Sequence, residues 1–216
     1  MMKYTHHQRR NPIPSLMPLG EDEKALVSMA AARILLPDPA TVKSFNKAIF
    51  PTIRDPRELY QEVKMEDRIV GMRDDNTTPR WALLWTHGIP GKSKQPTRAW
   101  TIAHVWDRSQ DWDAYTRLAN LALMPEYLGS LSDKQGPLTR YLRYHAWRVY
   151  QWKPADADVP SAPDHYAEIR WNYLTPVHDP VGFFRDEFSS ANCRRSRVLK
   201  PLMSQELICC NAMNSV

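Results

Sequence analysis

The residues predict an α+β fold: a helix-rich single domain with a central antiparallel hairpin and, inside it, a unit running strand, loop, strand, helix. Three observations carry that expectation. Proline-bounded segments with apolar residues at helical spacing occur near both ends of the chain. Five of the eight tryptophans fall between Trp81 and Trp112, in aromatic runs that suit strands. A short apolar run, Asn120-Leu-Ala-Leu-Met-Pro125, follows them. With 216 residues and 43% hydrophobic content, the chain can bury one real core and carry appendages.

Residues 1–19 read as a basic, flexible arm, because Pro12, Pro14 and Pro18 break any periodicity. The main domain is expected over 20–154. Its first helix starts at Gly20-Glu-Asp-Glu23, where acids meet the positive end of the helix dipole. Leu26, Ala30 and Ile34 form its stripe, and Pro37 and Pro39 stop it. A second helix is expected from Thr41 to about Ile49, burying Val42, Phe45 and Ile49, and a third from Pro56 to about Val63. Asp74-Asp75-Asn76-Thr77-Thr78-Pro79 reads as a turn. Trp81 to Thr86 then reads as a strand, His87 to Lys94 as a polar loop, and Trp100 to Trp106 as the returning strand of the hairpin.

An acid-rich connection through Asp107, Asp111 and Asp113 leads to Asn120 and a short strand, Leu121 to Met124. Pro125 suits the first position of a short helix ending near Lys134. A longer helix is expected from Leu138 to about Trp152. Residues 155–216 read as a linker marked by Pro160 and Pro163, then one helix from about Val181 to Ser190, then a polar, partly disordered end.

Composition narrows the function classes. No apolar run is long enough to span a bilayer, and residues 1–20 have no apolar core of a signal peptide, so a cytoplasmic location is expected. Cys193, Cys209 and Cys210 form neither a disulfide frame nor a zinc spacing, so no structural zinc is expected. The net charge is +5, concentrated in Lys3, Arg9 and Arg10, in Arg140, Arg143, Arg148 and Lys153, and in Arg194, Arg195, Arg197 and Lys200. Such clusters suit a polyanion, because neutralised phosphates release counterions. They equally suit solvated helix faces.

One constellation has the makings of a catalytic site. His104 ends a strand within Trp100-Thr-Ile-Ala-His-Val-Trp106, and Asn120, sixteen residues on, opens the next. Over about residues 100–134, this order resembles the ββα-metal module of the HNH nucleases. The resemblance implies a general base at His104, whose imidazole titrates near neutrality. It implies that Asn120 ties down the intervening loop and orients the ring. It also implies one divalent cation such as Mg²⁺, offsetting charge on a leaving oxygen. The chain departs from the family at Ala103, where an acid or second histidine is common, and at Gly129, where the helix usually carries a metal ligand. Asp107, Glu126 and Asp133 are the substitute ligands expected.

The helix Leu138–Trp152 interleaves Arg140, Arg143 and Arg148 with aromatics, a pattern that grips phosphates and stacks on bases. With Lys134, these arginines are the expected contacts to nucleic acid, DNA in the first place. The alternatives are a non-catalytic nucleic-acid-binding or accessory protein, in which His104 packs with Ile102 and Trp106, and a protein-interaction module. The ending Gly91-Lys-Ser93 is not a phosphate loop, because the spacing to Gly88 is too short and Pro96 follows.

Overall fold

A computed structural model of the chain describes residues 20–65, 68–90, 99–132 and 136–211. The expected N-terminal arm lies outside these residues. The α+β class is what forms. Helix α1 (Gly20–Ala31) leads into a short strand β1 (Leu35–Leu36), and α2 (Pro39–Ser44) follows. Asp38 caps α2, its Oδ1 accepting from the backbone of Ala40 (2.9 Å) and Thr41 (3.0 Å). The helix expected to reach Ile49 stops at Ser44, because Phe45 leaves helical backbone at φ −129° and ψ 77°, and Ile49 and Phe50 enter the core from an irregular segment.

The helix expected from Pro56 is absent. Instead β2 (Thr52–Arg54), β3 (Glu62–Met65) and β4 (Arg68–Asp74) form a three-stranded sheet, with β2 parallel and β3 antiparallel to the central β4. Val63 and Met65 alternate with Glu62 and Lys64, a period of two that decides for a strand.

The first arm of the expected hairpin is also corrected. Thr77–Trp85 is a helix, α3. The stretch read as a turn ahead of that arm is its N-terminus: Asp74 Oδ2 accepts from the Thr78 N–H (2.8 Å), Asp75 Oδ1 from the Thr77 N–H (3.2 Å), and Pro79 sits in the first turn, where a missing N–H costs nothing. Trp81 and Trp85 stack with centroids 4.5 Å apart, as the i, i+4 spacing of a helix allows.

The antiparallel hairpin lies one element later. β5 (Trp100–His104) pairs with β6 (Leu121–Pro125), with Trp100 opposite Pro125 and His104 opposite Leu121. The sheet order is β5-β6-β1-β7, where β7 is Asn172–Tyr173. Every residue of β6 is buried. Leu121 and Leu123 face a core with Phe50, Trp85 and Phe184, while Ala122 and Met124 face a second with Ile34, Leu36 and Tyr141.

After β6, Glu126–Ser132 makes 3₁₀ turns where an α-helix was expected. Helix α4 (Pro137–Tyr150) begins one residue before the expected Leu138, with Pro137 in its first turn, where a missing N–H costs nothing. α5 (Pro180–Ser190) and α6 (Arg194–Asn211) are the last elements among the described residues. The polar end thus carries a helix, and Phe184, Phe188, Leu199 and Met203 belong to the same cluster as Phe50 and Trp85. Among the described residues no helix is long and apolar enough to cross a membrane.

The loop from Val105 to Asn120 is clamped on the second sheet. Thr116 Oγ1 accepts from the Phe50 N–H and donates to the Phe50 carbonyl, both at 2.9 Å. Trp112 lies so close over β4 that a Cβ on Gly71 would collide with its indole and with the Pro51 carbonyl. Gly71→Ala is expected to cost about 1–3 kcal/mol by overpacking, read as a lower urea midpoint. An unchanged midpoint would show that Trp112 does not cover β4.

Candidate functional site

His104 closes β5 at the point where the chain leaves the sheet. Its ring is half-buried and stacks on the Tyr115 ring, with centroids 5.1 Å apart and planes 9° from parallel. Nε2 lies 3.1 Å from the Tyr115 carbonyl. A carbonyl only accepts, so Nε2 carries the hydrogen and Nδ1 the lone pair. Nδ1 makes no hydrogen bond to a described residue. Burial pushes the imidazole down to about 4, and Arg54 lowers it too, while the Tyr115 carbonyl and Asp107 act in the other direction. At neutral pH the ring is uncharged.

Asn120, fully buried, ties the loop. Its Oδ1 accepts from the Trp106 N–H (2.8 Å) and its Nδ2 donates to the Ala114 carbonyl (2.9 Å). The amide does not touch the imidazole. It holds the loop whose next residue, Tyr115, supplies the carbonyl and the ring that hold His104.

Of the expected carboxylates, Asp107 is beside this site. It turns the chain back at φ 45°, an unusual conformation for a residue other than glycine, and acts electrostatically on the imidazole. Glu126 is not beside it. The hairpin register puts Glu126 past Pro125, five residues along the strand from the partner of His104, or roughly 16 Å at about 3.3 Å per residue. There it faces Arg80, whose pKa is lowered by burial against the opposing pull of Glu126. Asp133 and Lys134 lie outside the described residues. Among the described residues no group of three or more His, Cys, Asp or Glu side chains comes together as a metal site.

A cleft of about 1150 Å³ opens beside the site, lined by Trp106, Asp107, Arg108, Arg140 and Arg143 with Glu23 and Asp158. Its arginines differ in what neutralises them. Arg140 makes a two-pronged pair with Glu23 (3.0 and 2.6 Å), and Arg108 pairs with Asp156 (2.8 Å). Arg143 instead donates from Nε to the Val105 carbonyl (3.2 Å) and lies over Trp106, 5.4 Å from its centroid, with no carboxylate partner among the described residues. Arg148, in the last turn of α4, is exposed and does not line the cleft.

Two contributors carry no local signal in the sequence. Arg54, at the exposed end of β2, is joined to the loop after His104: its N–H donates to the Ser109 carbonyl (2.7 Å), and Gln110 Nε2 donates to its carbonyl. Its guanidinium has no ion-pair partner among the described residues, and its charge reaches the rings of both His104 and Tyr115. Tyr115 is fully buried, and burial and then the Asp74 charge push its phenol up, so it stays protonated.

The other buried histidines are packing groups. His87 donates from Nδ1 to the Leu83 carbonyl (2.7 Å) and accepts at Nε2 from the Asp38 N–H (2.9 Å), which joins α3 to the start of α2. His145 bridges the hydroxyls of Tyr166 (2.9 Å) and Tyr173 (3.2 Å). Comparison of the chain with protein-family models, curated proteins and solved structures returns no match.

Burial takes His145 from its ordinary 6.5 to about 4. The unfolded chain therefore binds the proton first as pH falls. Stability from this neutral ring is complete above about 6.5 and is lost between there and about 4, by roughly 3 kcal/mol in all. Urea titrations at pH 7 and pH 4.5 should show a smaller drop for His145→Gln than for wild type, by roughly 2 kcal/mol. Equal drops would mean that the ring is not held neutral.

Proposed function

We propose that the chain acts on nucleic acid as an HNH-like phosphodiesterase, with His104 as the general base. One observation carries this reading: Nε2–H is committed to the Tyr115 carbonyl, which leaves the Nδ1 lone pair as the acceptor at the end of the strand. A water beside Nδ1 passes its proton to the ring as its oxygen attacks phosphorus; the opposite bond from phosphorus to the leaving nucleotide oxygen breaks, that oxygen keeping the electron pair and taking a proton afterwards from solvent. Asn120 keeps the loop, and so the ring, in one orientation. Arg54 and Arg143, the two nearby cations without carboxylate partners among the described residues, bind phosphate oxygens at and next to the reacting linkage. Arg148 is a further backbone contact.

The carboxylate that stands beside His104, and that a divalent cation would take, is Asp107. Mg²⁺ commonly keeps several waters and takes one or two carboxylates together with substrate phosphates. Asp107 alone fits an ion shared with the nucleic acid and does not fit a cage formed in advance. Bound there, such an ion would offset charge on the leaving oxygen.

A second reading, a relative that binds nucleic acid without cutting it, is favoured by the low basicity of the ring and by Ala103 and Gly129 at positions where the family commonly has ligands. Plasmid nicking in Mg²⁺ separates the two. Wild type is expected to nick, chelation to abolish nicking, and His104→Ala to slow it at least about 100-fold with DNA binding retained. Wild type that binds but never nicks supports the second reading. In both, Arg143→Ala and Arg148→Ala should each reduce the salt dependence of binding by about one counterion. Absence of salt-dependent binding would sink both.

A further inference from the structure

We propose that the C-terminal helix α6 belongs to the His104 site, with Arg195 acting through Asp74 and Tyr115 as a positioning residue for the imidazole. The contacts run without a gap. Arg195 is 7% exposed; its Nε donates to Asp74 Oδ1 (2.6 Å) and a terminal nitrogen to Asp75 Oδ1 (2.7 Å). The guanidinium also lies over two aromatic rings, 5.0 Å from the Tyr60 centroid and 5.6 Å from that of Trp81. Asp74 is wholly buried, and its second oxygen receives the Thr78 N–H and hydroxyl and lies 3.4 Å from the Tyr115 hydroxyl. The same hydroxyl accepts from the Asn76 N–H (2.8 Å) and lies 3.1 Å from Asn76 Oδ1.

Tyr115 is thus pinned at its far end by the segment that Arg195 neutralises. At its near end it gives His104 both of its supports, the stacked ring and the accepting carbonyl. Removing the arginine leaves a buried carboxylate without its countercharge, a costly state that is relieved only if water enters or the segment shifts. Either event changes what the phenol hydroxyl meets and releases the ring beneath the imidazole. Arg195 lies far along the chain from His104 and touches no atom of it, so its influence is positional.

The inference rests on His104 being the working group of the site, yet the position of its ring can be read without substrate. Full-length chain with labelled histidine rings is observed by NMR. In wild type, the parallel phenol should shift the His104 ring protons upfield, and the Nε2–H should exchange slowly. Tyr115→Phe, which removes only the hydroxyl, and Arg195→Met should reduce the upfield shift and speed Nε2–H exchange at least about tenfold. Arg195→Lys should restore part of both. Leu199→Ala, a core substitution on the same helix, should lower thermal stability and leave the His104 signals in place.

The proposal is overturned if Tyr115→Phe and folded Arg195→Met keep wild-type His104 signals, or if Leu199→Ala moves them equally. Should Arg195→Met not fold, Tyr115→Phe and Arg195→Lys decide. A chain that shows the expected NMR pattern but never nicks DNA retains the positioning role and loses the nuclease reading.

Discussion

A single carboxylate, Asp74, joins parts of the chain that are otherwise far apart. It ends β4, receives the N–H and hydroxyl of Thr78 in the first turn of α3, takes the Arg195 guanidinium from α6 and lies against the hydroxyl of Tyr115. A buried carboxylate is costly unless its lone pairs are met, and these partners meet them. Such a pair adds little net stability over apolar packing, but its failure is expensive, because one unpaired charge remains in the core. The pair brings the second sheet, α3, the long loop and α6 together at one buried point.

The second organising feature is β6. Being apolar on both faces, it separates two cores and leaves no face for a polar residue. Polar groups are admitted only at its entrance, where Asn120 satisfies both ends of its amide on the loop backbone. This explains how a fully buried amide and a half-buried imidazole can stand at one end of a hydrophobic hairpin. The loop between them is folded by its own hydrogen bonds and tied to Phe50, so the ring rests on a rigid surface.

Much of the helical framework could be read directly. α1, α4 and α5 begin at acids, glycine or proline where local physics favours a helix start, and β5 and β6 fall close to their expected positions. The aromatic run Trp81–Trp85 reads as a strand by its composition, but two tryptophans four apart equally fit one face of a helix. The helix wins once Asp74 and Asp75 meet its N-terminal amides. The β2–β4 sheet was missed because its strands are short, half polar and paired across the chain in mixed directions, and short-range periodicity does not report pairing. For the site, the His104–Asn120 spacing was visible. Arg54, Tyr115 and Arg195 were not, since nothing near each in the chain distinguishes it from a surface cation or a core aromatic.

By itself the sequence determined the α+β class, the hairpin's second half and the two polar residues at its mouth, because caps, prolines and apolar runs act over a few residues. Only the tertiary structure decided which charges are paired, that Glu126 stands at the far end from His104 while Asp107 stands near it, and that α6 reaches the site through a buried ion pair. Those outcomes depend on strand register and on which distant groups share a low-dielectric interior, and neither is encoded in any local stretch.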